Sequence, residues 1–403
     1  ITVAFMRYCL PQIFFLGIFA LLGQIANARG VFGPMMWAPI LNNLIAIALF
    51  TYFLTSVSDL SFTRITDSQI RTLGLGTTLG IVAQALILIP VLKRSGVSLR
   101  LRFDWRDAGL GKSLRLASWT FLFVLISQIG YLITVNLATR TSVTALAEGV
   151  TYGVGYTPYS NAYFIMLLPH SVITISLVTA LLPHLSDLAI DKKFDQLRAQ
   201  LVRAMRLVGI FTVPSACALL LFGTLITRTL FFGISDGDAQ YIGFVLAGFA
   251  LGLMPMSINL IALRGLNAFE NVKLQVLSNL VMNIFGSVLA IFLANSLGPK
   301  WVTVGLAGAL SVSYLVGAWT TIRLLRRYSI DIHIGEIVGL YTRLAGIYLV
   351  IALPLRFFLR FIPGGNTLHL LVVLLVTGFG YLGAARVFKI EEVASAFSLL
   401  LRR

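Results

Sequence analysis

Long apolar stretches alternate with narrow polar bands along this chain, and the bands hold the charge. All fifteen carboxylates lie outside the apolar stretches. Nearly all of the thirty-one Lys and Arg lie outside them or at their ends. About eleven stretches of roughly 18 or more mostly apolar residues result, close to the 20 or so that a helix needs to cross a bilayer core of about 30 Å. Inside a bilayer a helix bonds its own backbone groups, so a run of such stretches predicts a run of transmembrane helices. The predicted spans are Val3–Ala26, Phe32–Val57, Thr72–Leu92, Leu116–Ala138, Tyr159–Leu185, Leu207–Phe231, Tyr241–Leu263, Leu274–Leu297, Val302–Leu324, Val338–Leu359 and Leu368–Val387. The fold class is therefore all-α, a polytopic integral membrane protein.

Composition agrees: 11% of residues are charged and mean hydropathy is +0.91. The net charge of +16 would suggest nucleic acid in a soluble protein. In a membrane protein, basic residues hold loops on the cytoplasmic side and meet anionic headgroups, so nucleic acid is not an expected partner. Cys9 and Cys217 sit in separate apolar stretches and read as packing residues. His170, His184, His333 and His369 are scattered without ligand spacing, so neither a metal site nor an organic cofactor is expected. Nucleotide-binding, serine-hydrolase and zinc-protease motifs are missing from the sequence, and the chain does not read as an enzyme.

Charge also orients the chain. One set of alternate loops and adjoining span ends carries twenty-two Lys and Arg, concentrated in Lys93–Arg115 and in the segment from Lys192 to Arg206. The other set carries seven. The richer set is expected in the cytoplasm, with the C-terminus. Ile1 then lies outside, which leads us to expect a longer natural protein with an odd number of spans ahead of it. Two inner segments are amphipathic. Phe194, Leu197, Leu201, Val202 and Met205 share a helical face, and Ile390–Arg403 reads the same way. Both are expected to lie on the membrane surface.

A weak internal repeat is visible. Asn27-Ala28 lead into a span carrying Asn43, and Asn267-Ala268 lead into one carrying Asn283, both offset by 240 residues. A parallel repeat of six helices is one way in which transporters are built.

Three segments carry a family likeness: Arg7 through Gly17 with Asn27 through Asn43, Leu168 through Ser186, and Arg264 through Lys273. They resemble the MurJ/MviN family of lipid II flippases, of an actinobacterial style, within the multidrug/oligosaccharidyl-lipid/polysaccharide exporter superfamily. The resemblance implies a fourteen-helix fold, with two six-helix lobes in a V around a cavity and two C-terminal helices forming a lipid groove. The first span here looks like helix four. Residues 1–115 would be the second half of the N-lobe with its basic loop, 116–327 the C-lobe, and 328–403 the last two helices and tail. Three helices would then be missing from the front. The family's cavity arginines lie mostly on the first two helices. A further family Arg and an acidic residue near helix eight are replaced here by Phe164 and Leu167. Some relatives bind sodium through an Asn and an Asp on helix eleven. Asn279 and Asn283 match that pair without the carboxylate, so sodium coupling is not expected.

The implied activity is flipping of lipid II, or a similar undecaprenyl-pyrophosphate glycolipid, across the cytoplasmic membrane for cell-wall synthesis. Membrane potential or a coupling cation would supply the energy. Membrane lipids and cell-wall synthesis proteins would be partners. The alternatives are export of another polyprenyl-linked glycan or a drug, and a non-transporting scaffold for cell-wall enzymes.

Several residues are candidates for substrate contact. Arg7 and Arg343 are the two cations more than a few residues inside an apolar stretch; Arg7 is the candidate for substrate contact, and Arg suits a pyrophosphate by its bidentate fork. Asn42, Asn43, Asn279 and Asn283 place amides in repeat-related spans, and Gln128 and Asn136 share one face of theirs. Such amides can bind sugar hydroxyls or bond between helices. His170 follows Pro169 in mid-span and can contact a headgroup or bond a neighbouring helix. Pro169, Pro214 and Pro255 are candidate hinges.

Overall fold

The computed structural model describes residues 2–29, 31, 33–56, 65–96, 110–150, 152–269 and 271–388. The amphipathic tail Ile390–Arg403 and the middle of the first basic loop, 97–109, lie outside the described residues. The described residues contain eleven helical spans of membrane-crossing length and composition, the first Val3–Asn27 and the last Asn366–Val387. Each expected span has its counterpart. The chain divides into two compact units, Ile1–Ala108 and Gly109–Arg403.

The first unit contains α1 (Thr2–Cys9), α2 (Pro11–Ala28), α3 (Gly33–Ser56), α4 (Asp67–Leu86) and α5 (Leu88–Arg94). α1 and α2 form one span interrupted at Leu10. Pro11 opens α2, where its missing N–H is tolerated. Thr66 starts α4 with a capping box: its hydroxyl accepts from the Gln69 N–H at 3.3 Å, and its own N–H donates to Gln69 Oε1 at 2.8 Å. The α2–α4 contact carries a polar seam. Gln12 donates to Thr77 and Thr78 at 3.1 Å each, and Thr78 donates to the Tyr8 carbonyl at 2.7 Å.

The second unit contains α6 (Leu110–Ala147), α7 (Tyr156–Pro169), α8 (Ser176–Ile190), α9 (Phe194–Leu230), α10 (Asp236–Ala268), α11 (Val272–Ser296), α12 (Pro299–Leu325), α13 (Ile334–Phe358) and α14 (Asn366–Val387). α10 is central, packed against α9 on one side and α12 on the other. Between α7 and α8, His170–Ile175 form a π-helical turn directly after Pro169. Proline deletes one N–H from the ladder, and a π-turn is one way the ladder restarts.

The expected surface helix around Phe194–Met205 is not a separate element. It is the first third of α9, a single helix of 37 residues, about 55 Å long at 1.5 Å per residue. Its apolar face packs on protein rather than lipid. Leu197, Leu201, Met205 and Val208 are fully buried with Leu185, Ile261 and Leu266. Protein partners on that face let the span continue beyond the bilayer edge.

The last two helices dock on α9 through tyrosines. Tyr341 of α13 lies over Gly209, where a β-carbon would collide with its ring, and donates to the Met205 carbonyl at 2.8 Å. Tyr381 of α14 donates to the Ile210 carbonyl at 2.9 Å. That carbonyl is the one whose i+4 donor would be residue 214, a proline. Pro214 lies within an uninterrupted α9 and Pro255 within an uninterrupted α10.

Helix ends follow the 240-residue offset. α2 ends at Ala28 and α10 at Ala268; α3 ends at Ser56 and α11 at Ser296. Asn42 and Met282 match at that offset, and each sits on a glycine of the following helix, Gly80 of α4 and Gly317 of α12, although these glycines are 237 residues apart.

Candidate functional site

In the second unit, α6 and α11 meet through uncharged polar side chains at membrane depth. Asn279 donates to the Phe123 carbonyl at 2.8 Å and to Ser127 Oγ at 2.9 Å. One turn on, Asn283 donates to the Asn279 backbone carbonyl at 2.9 Å and to its side-chain oxygen at 2.6 Å. The Asn283 amide oxygen would collide with a β-carbon on Gly130, so the glycine lets the two helices close. A second cluster binds α10 to α12: Thr321 donates to Asn259 Oδ1 at 2.8 Å, and Ser278 of α11 lies 2.6 Å from Thr321 Oγ1. A third lies at the π-turn. Ser257 of α10 is 3.0 Å from His170 Nδ1 and accepts from Thr174 at 3.1 Å, while donating to its own Leu253 carbonyl.

These clusters border two cavities. One, of about 250 Å³, is lined by Phe123, Ser127, His170, Asn259, Asn279 and Tyr314 among others. The other, of about 330 Å³, shares Ser127, Met282 and Tyr314 with it and adds Tyr131, Tyr156, Tyr159, Tyr163 and Asn283. Among the described residues, no Asp, Glu, Lys or Arg lines either cavity. Tyr156 and Tyr159 stack at 6.4 Å, Tyr159 meets Phe249 edge-on at 4.9 Å, and the Tyr131 and Tyr156 hydroxyls are hydrogen-bonded. Aromatic faces with amide and hydroxyl rims suit neutral polar rings and amides better than bare ions. Among the described residues there is no group of three His, Cys, Asp or Glu placed to hold a metal.

The sequence candidates separate into two groups. Asn279, Asn283 and His170 come together in the second unit, with Pro169 directly before the π-turn. Gln128 and Asn136 lie on the exposed side of α6, apart from that network. In the first unit Asn42 is half-buried against Gly80, Asn43 is exposed, and Arg7 is exposed in the last turn of α1. Sequence reasoning missed Ser127, Asn259, Ser257, the tyrosines and Gln12. The tyrosines had a usable signal: 156, 159 and 163 follow helical spacing, with an aromatic stripe as the result. A lone serine in a span has no comparable mark.

The sequence model for lipid II flippase MurJ matches residues 1–377. The chain belongs to the MurJ family. Curated relatives include the probable lipid II flippase MurJ of Haemophilus influenzae, 24% identical over 329 residues, which are 79% of this chain and 59% of that protein. Another is the lipid II flippase MurJ of Burkholderia cenocepacia, 26% identical over 284 residues, 68% of this chain and 51% of that one. The chain thus spans a little over half the length of these relatives. Among solved structures, a lipid II flippase MurJ in an inward closed conformation superimposes with a TM-score of 0.68 at 19% identity, covering 98% of this chain and 73% of that one. An inward-facing multidrug-resistance MATE transporter of the MOP superfamily gives 0.63 at 15% identity, covering 81% and 72%. The fold is that of this transporter group, and the chain is a multi-pass membrane protein.

Proposed function

We propose that the protein moves lipid II, or a similar undecaprenyl-pyrophosphate glycolipid, across the bacterial cytoplasmic membrane by alternating access. It breaks and makes no covalent bond. The family match over residues 1–377 carries this reading. The chemistry of the second unit supports it, since a disaccharide-peptide headgroup presents hydroxyls, amides and ring faces. The neutral tyrosine and asparagine lining offers partners for each. The π-turn after Pro169 gives α7–α8 a point at which its two halves can change angle. The pyrophosphate needs cations, and Arg7 is our candidate in the first unit. The interior-negative potential, worth about 2.3 kcal/mol per unit charge per 100 mV, or a coupling cation resets the carrier. Cell-wall synthesis proteins are its expected partners, and the C-terminus faces the cytoplasm.

A scaffold role is the second reading. Phe164, 65% exposed, and Leu167 stand where the family resemblance leads us to expect an Arg and an acid. Expression of the full-length gene in a bacterium depleted of its own lipid II flippase separates the two. Flipping predicts restored growth. Loss of growth despite normal membrane insertion favours the scaffold.

A further inference from the structure

A cavity of about 720 Å³ in the second unit lies outside the polar clusters described above. It opens at the end of the unit where the basic residues collect, between α8, the start of α9 and the start of α13. Its floor includes Leu177 and Leu181 of α8. Arg198 and Arg203 of α9, Asp195 of α9 and Glu336 of α13 stand around it. Asp195 and Arg198 are one helical turn apart, a spacing at which opposite charges commonly pair. Among the described residues these four side chains form no ion pair with one another. Unpaired opposite charges around an apolar floor match an amphiphile that carries charge itself.

Depth decides which amphiphile. The apolar stretch of α7–α8 runs to Leu185 in the sequence, so Leu177 and Leu181 lie in its last turns and the charged rim, beyond it in the chain, stands at headgroup level. A soluble phosphate would gain nothing from the leucines. A phospholipid would place its first acyl carbons on them and its phosphodiester against the guanidinium forks.

We propose that this cavity holds the phosphodiester headgroup of a phospholipid from the adjoining leaflet. Arg198 and Arg203 grip the phosphate, and Asp195 and Glu336 favour a headgroup that also bears an ammonium. The site is separate from the neutral cavities and does not depend on what those cavities bind. A lipid held there ties α8, α9 and α13 together at the membrane surface.

The test is native mass spectrometry of the full-length protein released from nanodiscs. The discs contain phosphatidylethanolamine, phosphatidylglycerol or diacylglycerol of matched chains, in a phosphatidylcholine background. The wild type is expected to retain one phosphatidylethanolamine in preference to diacylglycerol. Arg198→Gln with Arg203→Gln is expected to weaken that retention roughly tenfold or more, from about one basic-residue contact each. Arg198→Lys with Arg203→Lys keeps the charge and is expected to retain most of it. Circular dichroism of each variant checks that the fold is intact. Equal retention by the wild type and the Gln variant overturns the proposal, as does equal retention of diacylglycerol. Displacement of the lipid by soluble glycerol phosphate at millimolar concentration overturns the lipid assignment. Stronger retention of phosphatidylglycerol than of phosphatidylethanolamine overturns the role given to Asp195 and Glu336.

Discussion

An amide at membrane depth is tolerated when its own groups are bonded, and Asn279 meets that condition by reaching Phe123 and Ser127 across α6. Replacing Asn279 by Leu strips Ser127 and Asn283 of a partner. A stability loss of about 1–2 kcal/mol is expected, read as a lower unfolding midpoint in a fixed detergent. In that background Asn283→Leu should cost less than it does alone, because the partner is already gone; full additivity would remove the coupling. The pair was legible in the sequence because four residues set one helical turn. Ser127 was not, since a serine can bond its own i−4 carbonyl, and here it also does so, to Phe123 at 3.0 Å. Which helix it faces is a three-dimensional fact. Gln128, one residue on, points to the exposed side, so the sequence marked the amide but not which of the two neighbours faces α11. Arg7 is a different case. Exposed beside the break at Pro11, it is available to an anionic headgroup. Arg7→Gln in the full-length protein should weaken lipid II binding about tenfold; unchanged binding and flipping would end its proposed role.

At Pro214 the helix stays continuous and a neighbour satisfies what the proline removes. Tyr381 supplies a donor to the Ile210 carbonyl, four residues before Pro214. Tyr381→Phe should therefore destabilise the protein by about 1–3 kcal/mol, the cost of an unsatisfied buried acceptor. With Pro214→Ala the helix regains its own N–H, and the same Tyr381→Phe change should cost distinctly less. Equal costs in both backgrounds would show that the hydroxyl does not serve the proline-freed carbonyl. Pro214 is on this account a docking point for α14 rather than a free hinge. The span ladder itself was legible because charge is excluded from hydrocarbon, and that rule leaves few choices of boundary. Two element-level features were not legible. The start of α9 has the pattern of a surface helix, and only its burial against Leu185 and Leu266 shows that protein covers the apolar face. The π-turn at His170–Ile175 follows from Pro169 only once the Ser257 contacts from α10 are known.

At the scale of the whole molecule, two cavities with no charged side chain among their described lining residues and an arginine-rimmed cavity lie in one unit; on our proposals the first two take the lipid-linked load and the third a phospholipid. The repeat relates the helices of the two units: helix ends coincide at the 240-residue offset, and residues 42 and 282, matched at that offset, each pack on a glycine of the following helix, Gly80 and Gly317, which are 237 residues apart. That echo was only partly legible, because the sequence aligns Asn43 with Asn283 while their surroundings differ. Asn283 is bonded and Asn43 is exposed. The family match, the transporter fold and the tyrosine–asparagine lining support our central proposal, that the full-length protein carries lipid II between leaflets. The most direct measurement is outer-leaflet lipid II in cells whose own flippase is depleted, read by an externally added enzyme that cleaves only exposed lipid II. Expression of the full-length protein should restore cleavage close to the undepleted level. Cleavage that stays at the depleted level, with the protein inserted in the membrane in normal amount, would contradict the account.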